Sequence, residues 1–187
     1  MIEASTTAHI VIDLQHGIVA NTVGPHSSAE VIARNQQIAD KMRELGGMVV
    51  LVRVAFSEDG KDMLRPDTDT AAASFERPAN WADIVPEMGP RKGDLLITKH
   101  QWGAFYGTAL DLQLRRRGIK TIVIGGISTN FGVESTARDA YERGYNLVFV
   151  EDAMAGMSAE AHEFPVKNIF PRIGKLRSTA QVLGELK

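Results

Sequence analysis

Hydrophobic residues along the chain gather in short unbroken runs, each bounded by turn-forming residues. The runs are "HIVID" (9–13), "GMVVLVRVAF" (47–56), "DLLITK" (94–99), "TIVIGG" (121–126) and "NLVFVED" (146–152), with a weaker sixth in "GKLRS" (174–178). They are rich in Val and Ile, which suit a pleated surface. A strand with no polar alternation is buried on both faces, the condition of a parallel sheet.

Between the runs the apolar spacing lengthens to that of a helix. In "SSAEVIARNQQIADKMRELGG" (27–47) the apolar positions are Val31, Ile32, Ile38, Met42 and Leu45; serine opens the segment and Gly-Gly closes it. The segment 107–118 offers Thr108 as N-cap, Asp111 three residues on, and Gly118 as the stop. The segment 129–144 places Val133, Thr136, Ala137, Ala140 and Tyr141 on one face and ends at Gly144. Strand alternating with helix predicts a doubly wound α/β fold.

The stretch 57–92 breaks the rhythm. It carries Pro66, Pro78, Pro86 and Pro90, and only a short helical piece near "WADIVPEM" (81–88) is expected in it. Connections of this length are typically lids or binding loops. There is no longer repeat and no low-complexity tract, so residues 1–187 are expected to form one domain.

Composition narrows the function. With 187 residues, 44% of them apolar, the chain can bury one sizeable core. Its 21 basic and 23 acidic residues leave a net charge of -2 and no footprint for nucleic acid. The dense basic run Arg115–Arg117 falls at a predicted helix C-terminus, where cations complement the helix dipole. There is no cysteine, which excludes disulfides, thiolate metal sites and a thiol nucleophile. The N-terminal "MIEASTTAHIVIDL" has no signal-type core, and no apolar run approaches the ~18 residues of a membrane span. A cytoplasmic protein without a membrane partner is expected.

In open α/β sheets, ligands bind beyond the carboxyl ends of the strands. Four residues stand at such exits: Asp13, Arg53, Lys99 and, past the Gly-rich turn, Gly132. Each has a plain structural alternative. Asp13 can cap the turn "LQHG", Lys99 can reach water, and Arg53 can either snorkel at a strand end or pair with an anion. Gly132, which lowers helix propensity by about 1 kcal/mol relative to alanine, can serve tight helix–sheet packing.

Taken together, "VIDLQ" at the first strand, "KHQWGAFYGT" after the third and "GGISTNFGVESTARDA" after the fourth resemble the isochorismatase-like hydrolases. That superfamily includes nicotinamidases and N-carbamoylsarcosine amidase, and the resemblance covers nearly the whole chain. It implies a three-layer α/β/α, Rossmann-like sheet of about six parallel strands. The last motif is similar to the family's Gly-x-x-Thr-x-x-Cys-Val pattern, with Thr129 and Val133 in place and Gly132 where most members carry the nucleophilic cysteine. By the same resemblance Asp13 matches the catalytic aspartate, Lys99 the catalytic lysine, and Ile127–Ser128 a non-proline cis peptide. Isochorismatase itself is similar in having glycine at that position; it protonates a vinyl ether and lets water attack.

The resemblance therefore implies a hydrolase of a small anionic metabolite in which Asp13, Lys99 and Gly132 form the catalytic centre without a thiol. Trp102, Phe105, Tyr106 and Arg53 are expected to bind substrate. Ser128, Thr129, Asn130 and Phe131 are expected to do so around a turn whose N–H groups favour anions. A Lys⁺ beside Asp13 lowers its pKa while burial raises it, and the sequence leaves that balance open. The histidines His9, His16, His26, His100 and His162 show no metal-ligand spacing, so no metal and no cofactor are expected. Family resemblance also implies a homo-oligomer. Two alternatives stay open: a catalytically silent metabolite-binding or assembly subunit, and Ser128 or Thr129 in place of the thiol.

Overall fold

Six runs become strands in the computed structural model, which describes residues 1–70 and 77–187. They are Thr7–Ile12 (β1), Met48–Val54 (β2), Leu95–Lys99 (β3), Thr121–Ile127 (β4), Asn146–Ala155 (β5) and Lys175–Arg177 (β6). All five pairings are parallel. The order across the sheet is β3-β2-β1-β4-β5-β6, the doubly wound arrangement whose topological switch lies between β1 and β4. Burial on both faces explains the unbroken apolar runs; all six residues of β1 are buried.

Helices cover both faces. On one side Ser28–Glu44 (α2) and Thr179–Glu185 (α7) pack Val31, Ile38, Met42 and Val182 against Val11, Leu51 and Val123. On the other, Leu110–Arg116 (α3) and Glu134–Glu142 (α4) pack Leu110, Leu114, Ala137 and Ala140 against Ile10, Val52 and Ile97. Helix α2 starts at a capping box: Ser27 Oγ accepts from Glu30 N–H while the Glu30 carboxylate accepts from Ser27 N–H. Near the sheet centre Gly126 adopts φ 119°, where β4 shifts register against β5 and a side chain would run into the Ile12 backbone.

Several expectations are corrected. Helix α3 begins at Leu110 with Ala109 as its N-cap residue, one position later than expected; the Thr108 hydroxyl donates to Ala104 O in the preceding loop and still accepts from Leu110 N–H at 3.1 Å. The "WADIVPEM" stretch forms turns rather than a helix. Pro86 disfavours helical backbone at Val85, and the Val85 N–H instead donates to Leu14 O. Residues 57–70 and 77–92 hold no helix or strand; the remainder of that segment, 71–76, lies outside the described residues. Four helices escaped the sequence reading: His16–Val19 (α1), Ala159–Asn168 (α5), Phe170–Ile173 (α6) and α7. Pro165 inside α5 masks it, whereas the Ser178–Gln181 capping box of α7 was a readable signal.

Strand β3 is anchored at its start. Arg43 on α2 donates through Nε and one Nη to the two oxygens of Asp94, at 3.1 and 2.8 Å, and the Asp94 side chain is buried. Asp94→Asn should lower the melting temperature, since Arg43 loses a buried charged partner and keeps only Asp40 and Met88 O. A thermal melt unchanged from wild type would mean this anchor does not hold β3. Among the described residues no helix is long and apolar enough to cross a membrane.

Candidate active site

Lys99 ends β3 and Asp13 follows β1, with β2 between them. Two strand spacings are about 10 Å, a gap that a lysine and an aspartate reaching toward each other can close. Lys99 Nζ donates to Asp13 Oδ2 at 2.8 Å and to Gln101 O at 3.0 Å, and Lys99 is only 2% exposed. Strand alternation would turn residue 13 away from the face that Ile12 shares with Val52, Ile97 and Lys99. Asp13 instead has φ 52°, a left-handed backbone that ends β1 and brings the carboxylate to the lysine. Its main chain is held on both sides: Asp13 N–H donates to Val52 O at 2.9 Å, and Asp13 O accepts from Gln15 N–H at 2.8 Å.

The second carboxylate oxygen, Asp13 Oδ1, is buried and has no hydrogen-bond partner. Burial raises the Asp13 pKa from 3.8 to about 6, against the lowering by the Lys99 charge and hydrogen bond. The balance left open by the sequence thus falls on the side of desolvation.

Gly132 completes the cluster. It lies in the turn Thr129–Val133, where Val133 N–H reaches back five residues to Ser128 O, a π-type bond. The preceding Ile127–Ser128 peptide is cis. A Cβ at position 132 would lie 3.2 Å from Asp13 Oδ2, 3.5 Å from Lys99 Nζ and 2.8 Å from Ile12 Cγ2. The last distance is below real Cβ contacts, so packing and access both select glycine here.

These groups open into a cavity of about 310 Å³. Asp13, Lys99, Ser128 and Gly132 line it together with two aromatic pairs, Phe56 with Trp81 and Trp102 with Phe131. His100 and Gln101 add polar groups. Of the expected site residues, Asp13, Lys99, Gly132, Trp102, Ser128 and Phe131 are therefore brought together.

Five others are not among the lining residues. Arg53 is in register with Thr98, one residue from Lys99, so its side chain leaves the opposite face of the sheet; its Nε donates to Thr98 Oγ1 at 3.1 Å. Phe105 is buried in the core against the Tyr145 ring, and Tyr106 is exposed. Thr129 turns inward and its Oγ1 bonds His162 Nδ1 at 2.9 Å. Asn130 accepts from Ser128 Oγ through its side chain. Phe131 N–H donates to Ser128 O, which removes it from the N–H groups expected to face an anion. Sequence reasoning missed Phe56, Trp81 and His100; only His100, beside Lys99, carried a readable signal. Among the described residues no group of three or more His, Asp or Glu is placed to hold a metal ion.

Residues 7–181 match the model of the isochorismatase domain. The chain is 50% identical to the isochorismatase family protein YwoC of Bacillus subtilis, covering 100% of this chain and 97% of that one. It is 49% identical to YecD of Escherichia coli O157:H7, covering 99% and 98%. The ureidoacrylate amidohydrolase RutB of Variovorax paradoxus is 33% identical over 81% of this chain and 69% of its own length. An isochorismatase family protein from Burkholderia thailandensis superposes with a TM-score of 0.93 at 42% identity, covering 96% of this chain and 95% of that one.

Proposed function

The chain belongs to the isochorismatase family of hydrolases, and from that premise we propose that it hydrolyses a small anionic metabolite by acid–base chemistry at Asp13, without a protein nucleophile. One observation carries the reading: a buried carboxylate, paired to Lys99 through one oxygen and unpartnered at the other, faces a cavity beside a glycine. A relative such as RutB is an amidohydrolase, but a thioester route is closed to a chain with no cysteine. Ser128 Oγ donates to Asn130 Oδ1 and Thr129 Oγ1 is engaged with His162, so neither hydroxyl is paired with a base facing the cavity.

Vinyl-ether hydrolysis suits the remaining groups. Protonated Asp13 gives its proton to the enol-ether carbon, leaving an oxocarbenium ion. Water adds to that cation and its released proton returns to Asp13. The hemiketal then collapses to a carbonyl compound and an alcohol, so one water is consumed and the carboxyl is restored. Lys99 holds the carboxyl in place through Oδ2 and, with the Gly132 backbone beside it at the cavity wall, receives the substrate's anion. Burial supplies what a general acid needs, a carboxyl still partly protonated near neutrality.

This reading fixes a pH dependence. An acid with a pKa of about 6 is protonated below that value, so kcat/KM should be flat at lower pH and fall about tenfold per unit above it. The test is a screen of enol ethers, amides and anionic metabolites, followed by a pH profile of the best substrate. An enol ether should be turned over with that descending limb. Efficient amide hydrolysis, or a rate rising through pH 6, would overturn the proposal.

A further inference from the structure

His100 follows Lys99 at the cavity wall, and the mechanism above does not use it. Its Nδ1 lies 2.6 Å from Ala55 O and 3.5 Å from Asp62 Oδ2. A carbonyl oxygen only accepts hydrogen bonds, so Nδ1 must carry the hydrogen. The nearby carboxylate favours the same form. Asp62 is itself fixed, its oxygens accepting from Ser57 N–H at 2.9 Å and from Ser57 Oγ at 2.8 Å. In the neutral ring, Nε2 on the opposite edge is then a lone-pair acceptor.

The Phe56 ring is 6.3 Å from the His100 ring and 6.4 Å from the Trp81 ring, so the half-exposed imidazole sits at the end of an aromatic wall. A second aromatic pair, Trp102 and Phe131 at 4.8 Å, also lines the cavity. Aromatic faces favour a planar body. A lone-pair nitrogen beside them selects a hydroxyl or N–H on that body.

We propose that His100, held in its Nδ1–H form by Ala55 and Asp62, is a substrate-recognition residue whose Nε2 accepts a hydrogen bond from a hydroxyl or N–H group on a planar unsaturated or aromatic substrate. The inference rests on the cavity being the active site, and it adds a specificity group distinct from Asp13 and Lys99.

The test uses phenol and anisole, which share a ring but differ in the O–H donor, titrated by calorimetry at about pH 8. Wild type should bind phenol about threefold to tenfold more tightly than anisole, the range of one net hydrogen bond. His100→Asn keeps a donor for Ala55 O but has no Nε2, and should lose the preference. His100→Gln extends an amide oxygen toward the Nε2 position and should restore part of it. Long-range proton–nitrogen NMR of the wild type should show hydrogen on Nδ1 and none on Nε2.

Equal binding of the two probes, no saturable phenol binding, or a preference that survives in His100→Asn would each overturn the proposal, as would an Nε2–H tautomer. A preference lost in Asp13→Asn but kept in His100→Asn would move the acceptor to Asp13 Oδ1. The acid–base reading is judged separately, by turnover of Asp13→Asn.

Discussion

Asp13→Asn is expected to lower kcat/KM by about 10²–10⁴, the usual contribution of a positioned general acid, while the chain still folds. Asparagine is the informative replacement because it tolerates the left-handed backbone that residue 13 adopts at φ 52°. It also fills the same volume and leaves Lys99 an amide oxygen in place of Oδ2. Alanine would confound the result with backbone strain and with an uncompensated buried ammonium. Activity should be measured on the best substrate of the screen, with a melt to show that the fold is retained. Turnover within a few-fold of wild type would remove Asp13 from the chemistry. The raised pKa also has a stability sign. The folded state favours protonated Asp13, so this contribution is full below 3.8 and is lost as pH rises through about 6.

Gly132→Ala should lose most turnover and also melt below wild type. A helix normally gains a few tenths up to about 1 kcal/mol from replacing glycine by alanine, so a lower melting temperature runs against propensity. The opposing contact is specific: the added Cβ meets Ile12 Cγ2 at 2.8 Å, a branched side chain on β1 that is fully buried and has little room to yield. Overpacking of this kind costs about 1–3 kcal/mol. The same Cβ stands 3.2 Å from Asp13 Oδ2, where water or substrate must approach. Gly132→Ala that melts normally yet is inactive would leave access as the sole reason for glycine. Full activity would remove both reasons.

The parallel sheet was legible because its strands are apolar on both faces, as the fully buried β1 shows. Asp13 and Lys99 were legible as polar residues at strand exits, yet only the family resemblance joined them. Nothing local in the chain says that β2 lies between β1 and β3, or that a left-handed residue turns Asp13 toward the lysine. Arg53 was misplaced for a related reason: register with Thr98, fixed by the neighbouring strand, puts its side chain on the other face. Phe105 and Tyr106 show the same limit within a loop, where hydrophobicity alone does not separate a core ring from an exposed one. Phe56 and Trp81 were unreadable because one precedes a long irregular connection and the other lies within it, and only the fold sets them 6.4 Å apart.

The claim at the centre of this account is that burial beside a lysine makes Asp13 a proton donor near neutrality. Its most direct test is a carbon-13 NMR titration of the Asp13 carboxyl in the wild-type protein, assigned with Asp13→Asn. The account predicts a midpoint of about 6, against an ordinary value of 3.8. A midpoint at or below 3.8 would mean the Lys99 charge outweighs desolvation, leaving Asp13 ionised throughout the working range and unable to serve as the acid.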